Sequence, residues 1–374
     1  MSETPNTTLE LFLELAAIPS PPGDERAMAD RVAAELRGLD LEVEEDDAGP
    51  RIGSNAGNLH CRVPGRANGG TPLFFCAHLD TVPPQGPLEP VVEDGVVRNA
   101  AGTILGADNQ SAVVALVGAA RRLVEEDRPH AGVELVFTPM EEVGLLGAGA
   151  FDHRRLEAEL GFVYDQAAPI GDVIVGAPYA QTMAVRFHGR PAHSGMVPEE
   201  GRSAIQAAAR AVADLRLGRL DGETTANVGV IAGGSARNIV PEWCELQAEA
   251  RSHDPRKLAD VVQEMLETFA FAASTTECTV ETEVSESYPG YRFRESDPIV
   301  RLAATALERC GYALTPTLTG GGADANVFNA RGLPCLNLAN GMADIHTGDE
   351  HIAVADLDAM VGVTLALLEE ARAP

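Results

Sequence analysis

Lysine is almost absent: Lys257 is the only one, and lysine plus arginine number 28 against 56 aspartates and glutamates, for a formal net charge of −28. Nucleic acids and anionic membranes are held by clustered basic side chains, so this balance argues against both as partners. It favours divalent cations, although most carboxylates in such a chain simply solvate the surface. Cysteine is scarce and scattered. Cys61, Cys76, Cys244, Cys278, Cys310 and Cys335 form no CxxC pair and have mostly apolar neighbours, which argues for reduced core residues over a disulfide framework. None sits beside a local histidine or a glycine-rich turn, so none reads as a nucleophile. Also missing is a basic segment ahead of a long apolar run. The opening "MSETPNTTLELFLELAAIPSPPGDE" is acidic and soon turns polar, so neither a signal peptide nor a membrane span is expected, and the expected location is cytoplasmic.

What is present is enough apolar material, 45% of 374 residues, for two or three cored domains, with disorder expected only at the extreme ends, the first few residues and the final "ARAP". Residues 26–38 have helical spacing and end in glycine, and "SAVVALVGAARRLVEED" (111–127) is an amphipathic helix. "TPLFFCAHLD" (71–80), "GVELVFTPMEEVG" (132–144), "LGFVYDQ" (160–166) and "LPCLNLAN" (333–340) read as buried strands. Strands alternating with helices of this length predict an α/β, doubly wound, mostly parallel sheet. Between about 178 and 289 the order becomes strand, helix, strand, strand, helix, strand, with alternating polarity, which predicts an inserted α+β sandwich. The expected organisation is therefore a catalytic domain in two parts, 1–177 and 290–374, interrupted by a lid over 178–289. No internal repeat or low-complexity linker is visible.

Ligands of such sheets gather beyond the carboxyl ends of the strands. His78 and Asp80, Glu141 and Glu142, and Asp165 all fall there; Asp108 in "LGADNQSA" and His346 in "DIHTGDEH" join them. A lone histidine at a strand end is more often a satisfied polar residue than a ligand, and a Glu-Glu pair is usually a solvated turn. Here each motif follows an apolar run in the order a parallel sheet needs, and that coincidence makes the set persuasive. Two histidines with several carboxylates and no thiolate suit an open catalytic site for zinc, manganese or cobalt, with room for two ions sharing a carboxylate.

The motifs "CAHLDTVPP", "ILGADNQSAVVAL", "FTPMEEVGLLGA", "VYDQ", "GRPAHSG", "NVGVIAGGSARNIVP" and "GGADANVFNARGLPCLNLANGMADIHTGDEHI" resemble the zinc exopeptidase family that includes peptidase T, acetylornithine deacetylase, succinyl-diaminopimelate desuccinylase and glutamate carboxypeptidase. "GADNQSA", "EEVGLLGA" and "HTGDEHI" are most similar to the peptidase T branch. The resemblance implies two zinc ions per subunit, with cobalt or manganese as substitutes: His78 and Asp165 on one, Glu142 and His346 on the other, Asp108 bridging. It implies that Asp80 orients the His78 imidazole, that Glu141 is the general base for attack by a metal-bridged hydroxide, and that His193 reaches the scissile carbonyl from a partner subunit. Asn227, Arg251 and Asn326 would hold the substrate backbone or carboxylate, Arg251 through its bidentate fork. Glu350, four residues past His346, would support the ligands. The implied protein is an aminotripeptidase-like hydrolase of short peptides, homodimeric through the lid. An N-acyl amino acid deacylase and a catalytically inactive binding protein on the same fold are the alternatives. Asn109, Gln110 and Ser111 stand where relatives commonly carry an acidic residue and a lysine, and the peptide bond after Asp108 is expected to be cis.

Overall fold

The computed structural model describes residues 7–66 and 69–372; the expectation of disordered ends falls partly on 1–6 and 373–374, outside that range. The chain divides into two compact units, one formed by the described residues up to Gly176 and from Arg292 onward, the other by Ala177–Tyr291.

In the first unit, apolar runs form strands whose two faces are both covered. Leu73–His78, Val133–Thr138, Leu160–Val163 and Cys335–Leu338 pair in parallel at the middle of the sheet, in the spatial order second, first, third, fourth. Every residue of Leu73–His78 and Val133–Thr138 is buried, as expected where crossover helices lie on both sides. On the flanks Leu59–Val63 pairs antiparallel with Val133–Thr138, Val43–Glu45 with Leu59–Val63, and Asp172–Ala177 with Cys335–Leu338, while Thr315–Leu318 joins Asp172–Ala177 in parallel.

Side-chain alternation splits Leu73–His78 between two layers. Leu73, Phe75 and Ala77 enter the main core with helices Thr7–Ala16, Ala107–Glu125 and Val354–Ala371, where the Phe75 ring lies 5.7 Å from Phe162 and 6.0 Å from Tyr164. Phe74 instead meets Phe328 of helix Asp324–Ala330, with ring centres 4.8 Å apart. His78 has the parity of Phe74. Gly161 exists because of that ring: a Cβ there would stand 2.2 Å from Phe74.

The second unit is a five-stranded antiparallel sheet in the order Gly218–Arg219, Thr224–Gly233, Trp243–Ser252, Tyr179–His188, Thr279–Tyr288. Alternate residues Met183, Val185, Phe187, Leu246, Ala248 and Ala250 are buried with helices Ala204–Asp214 and Pro255–Thr275 against them. Gly218–Arg219 pairs only with Ala226 and Thr225, so most of Thr224–Gly233 is an open edge carrying exposed Val230 and Ile231. Among the described residues no helix is long and apolar enough to cross a membrane, and all six cysteines are free.

Candidate metal centre

The register of the parallel strands aligns the site. His78 pairs with Thr138, the last residue of its strand, and Cys76 pairs with Val163, so two further residues bring His78 and Asp165 to the same level. Asp108 arrives from the start of helix Ala107–Glu125, which begins earlier than the 111 read from sequence, although Asp108 and Asn109 keep non-helical dihedrals at its entry. The Asp108–Asn109 bond is cis.

Asp108 stands between two histidines. Its Oδ1 lies 3.0 Å from His78 Nε2 and its Oδ2 lies 3.2 Å from His346 Nε2. His78 Nε2 is also 3.9 Å from Asp165 Oδ1, and His346 Nε2 is 3.1 Å from Glu142 Oε1. His78, Asp108 and Asp165 thus form one donor group, Asp108, Glu142 and His346 a second, each with ligand atoms within 4.8 Å of one another. Donors about 2.0–2.2 Å from a tetrahedral ion stand roughly 3.3 Å apart, so these spacings fit a cation in each group. The structure brings five of the sequence-predicted residues together in this way; Glu141 belongs to neither group.

Asp80 meets His78 through its backbone carbonyl and not through its carboxylate. His78 Nδ1 donates to the Asp80 backbone carbonyl at 2.8 Å, while the carboxylate is 3.7 Å away. A carbonyl only accepts, so Nδ1 carries a proton, and Nε2 is the nitrogen turned toward Asp108 and Asp165. The carboxylate is drawn instead to the next loop: Oδ1 accepts the Glu141 N–H at 2.9 Å and Oδ2 the Glu142 N–H at 3.0 Å. The preceding Met140 has a left-handed φ of 60°, and its N–H donates to Glu25 Oε1 at 3.2 Å. Three successive amides are therefore gripped by two buried carboxylates, which lets adjacent Glu141 and Glu142 take separate positions. Sequence reading missed Glu25, and also Asn337, whose side chain accepts the Asp165 N–H at 2.9 Å and donates to the Asp165 carbonyl at 2.8 Å. It missed Asp324 too, buried below the strands and taking the Thr138 hydroxyl at 2.5 Å. A carboxylate or amide serving a distant backbone leaves no local pattern.

Burial makes this cluster electrostatically expensive. It pushes Glu141 well up, with Asp165 adding to the effect, and it raises Asp165, helped by Asp108, to about 7. Burial likewise lifts Asp80 to about 7 against the pull of His78 and the two amides. Burial opposes charge on His78, but Glu141, Asp108 and Asp165 outweigh it and raise the imidazole strongly. Hydrogen bonds donated to Asp108 and Glu142 raise His346 to about 10, and burial of Asp108 is overcome by the two histidines, which depress it. Carboxylates stacked this closely call for added positive charge.

The other predicted residues belong to neither donor group. Asn326 is buried in the first unit, its side-chain oxygen accepting the Ala323 N–H at 3.1 Å. In the second unit, His193 is exposed, with its Nδ1 accepting the Gly195 N–H at 3.2 Å and its backbone bridged to Ile239. Asn227 is exposed on strand Thr224–Gly233, and half-buried Arg251 donates to Glu249 at 2.9 Å.

A parallel sheet with two three-residue donor groups at its carboxyl rim, and a separate antiparallel unit inserted in the chain, defines a metallohydrolase. The chain belongs to Peptidase family M20/M25/M40, whose model matches residues 74–370. It is 38% identical over 363 residues to the uncharacterized protein YqjE of Bacillus subtilis (strain 168), covering 97% of this chain and 98% of that one. Among solved structures it is similar to the aminopeptidase PepT of Bacillus cereus ATCC 10987 (36% identity, TM-score 0.87, 97% and 98% of the two chains). It is also similar to a tripeptidase of Staphylococcus aureus subsp. aureus Mu50 (34%, TM-score 0.91, 98% of each chain).

Proposed function

We propose that this chain is a two-metal aminopeptidase that removes the N-terminal residue of short peptides, tripeptides foremost. The observation that carries the reading is Asp108, with one oxygen toward His78 and the other toward His346. Zinc is the first candidate for both groups, with cobalt or manganese able to replace it. Bound there, the ions supply Lewis-acid polarisation of the scissile carbonyl and an acidified water.

The remaining chemistry belongs to the protein. Asp80 fixes the His78 tautomer through its carbonyl and holds the Glu141–Glu142 turn through its carboxylate. Glu141 takes the proton of the attacking water and hands it to the leaving amine, a role open to it because it joins neither donor group. Raised by burial, it is a stronger base than a solvated glutamate. His193 stabilises the developing oxyanion from a second subunit, and Asn227, Arg251 and Asn326 orient the substrate. The open edge at Thr224–Gly233, with Val230 and Ile231 each 53% exposed, supports a homodimer through the second unit; a monomer by light scattering at micromolar concentration would count against that.

The test is release of the N-terminal amino acid from a panel of di-, tri- and tetrapeptides with zinc or cobalt added, beside N-acetyl and N-succinyl amino acids. Preferred cleavage of tripeptides is expected. Faster cleavage of the N-acyl compounds, or no hydrolysis at all, refutes the assignment.

A further inference from the structure

Glu350 is 1% exposed, and the backbone amides its carboxylate accepts are 242 or more residues away in sequence. Its Oε2 accepts the backbone N–H groups of Leu105 at 2.7 Å and Gly106 at 3.0 Å, and its Oε1 accepts that of Asp108 at 3.0 Å. These amides lead into helix Ala107–Glu125 through Gly106, whose φ is 78°. The first N–H groups of a helix lack intrahelical partners and a carboxylate is favoured beside them. Glu350 therefore closes the entry of the helix that carries Asp108, and one of its three bonds goes to the amide of Asp108 itself.

The other end of Glu350 belongs to the His346 loop. Ala343 and His351 exchange backbone hydrogen bonds at 3.0 and 3.1 Å, closing residues 343–351 into one unit. Inside it the Thr347 hydroxyl donates to the Asp344 carbonyl at 2.6 Å and the Glu350 N–H to the Thr347 carbonyl at 3.3 Å. His346 has a left-handed φ of 64° and a side chain 46% exposed, so burial holds its ring only in part. The spacing between His346 and Asp108 depends on how the two loops are joined.

We propose that Glu350 is a positioning residue that locks the His346 loop to the helix entry bearing Asp108, setting the separation of the two donors and so the affinity of the cation they share. The proposal rests on the two-metal reading above. Three charge-assisted bonds to backbone make the join short and rigid. Glutamine has the same shape but would turn an NH2 toward an N–H donor and lose at least one bond.

The test is a cobalt titration of metal-free protein by calorimetry, with steady-state kinetics of the reloaded enzyme. The control is Glu134→Gln, because Glu134 is another buried carboxylate accepting two backbone amides, those of Glu157 and Ala158 at 2.7 Å each, away from the donor groups. Wild type and Glu134→Gln should take up two ions with equal affinities. Glu350→Gln should weaken the second step at least tenfold and lower kcat at least tenfold while KM stays within threefold. If Glu350→Gln fails to fold, Glu350→Asp, which keeps the charge but shortens the reach, is judged by the same two readouts. Wild-type affinities and kcat in the Glu350 variant, or an equal metal defect in Glu134→Gln, overturn the proposal. No cobalt bound by wild type overturns the functional reading and this proposal with it.

Discussion

Replacing Glu141 with glutamine separates catalysis from folding, because the two should move in opposite directions. Glutamine keeps the shape of the side chain and leaves both donor groups complete, so the protein should still bind two ions. A general base contributes about 10²–10⁴ in rate, or roughly 3–5.5 kcal/mol at 1.36 kcal/mol per decade. The upper half of that range is expected, since among the described residues Glu141 is in neither donor group and, unlike Asp80, is not taken up by backbone amides of the next loop. In metal-free protein the stability effect has the other sign. Burial and Asp165 raise the folded-state pKa of Glu141 even after its attraction to His78. A carboxyl raised in the folded state is fully compatible with folding below its unfolded pKa of about 4.3, and its contribution is lost as pH rises through the folded value. Glutamine never ionises, so metal-free Glu141→Gln should match wild type near pH 4.5 and exceed it above, the gap widening by about 1.4 kcal/mol per pH unit until the folded value is reached. The assays are tripeptide turnover with saturating metal and denaturant unfolding of metal-free protein from pH 4.5 to 8. A kcat within tenfold of wild type, or a variant less stable at pH 8, refutes the reasoning.

Two further perturbations probe the scaffold. Gly161→Ala would push a methyl into the Phe74 ring on the strand leading to Asp165, and should cost about 1–3 kcal/mol in urea unfolding; a loss below about 0.5 kcal/mol would mean that the ring moves freely. His130 is fully buried and neither ring nitrogen has a hydrogen-bond partner among the described residues. Burial, with nearby Arg66 adding to it, lowers its pKa, so the unfolded chain binds the extra proton and stability should fall as pH drops below about 6.5 toward the folded value. His130→Leu should remove that part of the slope, so its Tm advantage over wild type should widen from pH 7 to 5, and parallel Tm profiles would contradict the account.

Much of the scaffold was legible because a parallel sheet writes itself into sequence. Each central strand is buried on both faces and so appears as an apolar run, and polar groups at its carboxyl end stand out by contrast, as His78 does after "LFFCA" and Asp165 after "GFVY". The two-residue period placed His78 and Asp80 on one side, yet could not say which oxygen of Asp80 the imidazole meets. That choice was made by amides 61 and 62 residues away, which compete for the carboxylate and leave the carbonyl to the ring.

The same competition explains why sequence reading missed Glu25 and, while singling out Glu350, did not find the amides it holds. Glu25 stands just before a helix, where an acid looks like ordinary helix-start chemistry, and Glu350 sits in a polar loop. In the structure both are buried, and both face backbone amides of loops that carry donor groups or the base: Met140 for Glu25, and Leu105, Gly106 and Asp108 for Glu350. Loop amides near a metal rim cannot enter the sheet ladder, and a buried N–H without a partner costs about 1–3 kcal/mol. A carboxylate can accept several at once from one position, whereas a neutral side chain cannot do so without offering a donor of its own. A rim built from irregular loops therefore needs acids as backbone anchors as well as acids as ligands, and the two kinds are indistinguishable until long-range contacts are known.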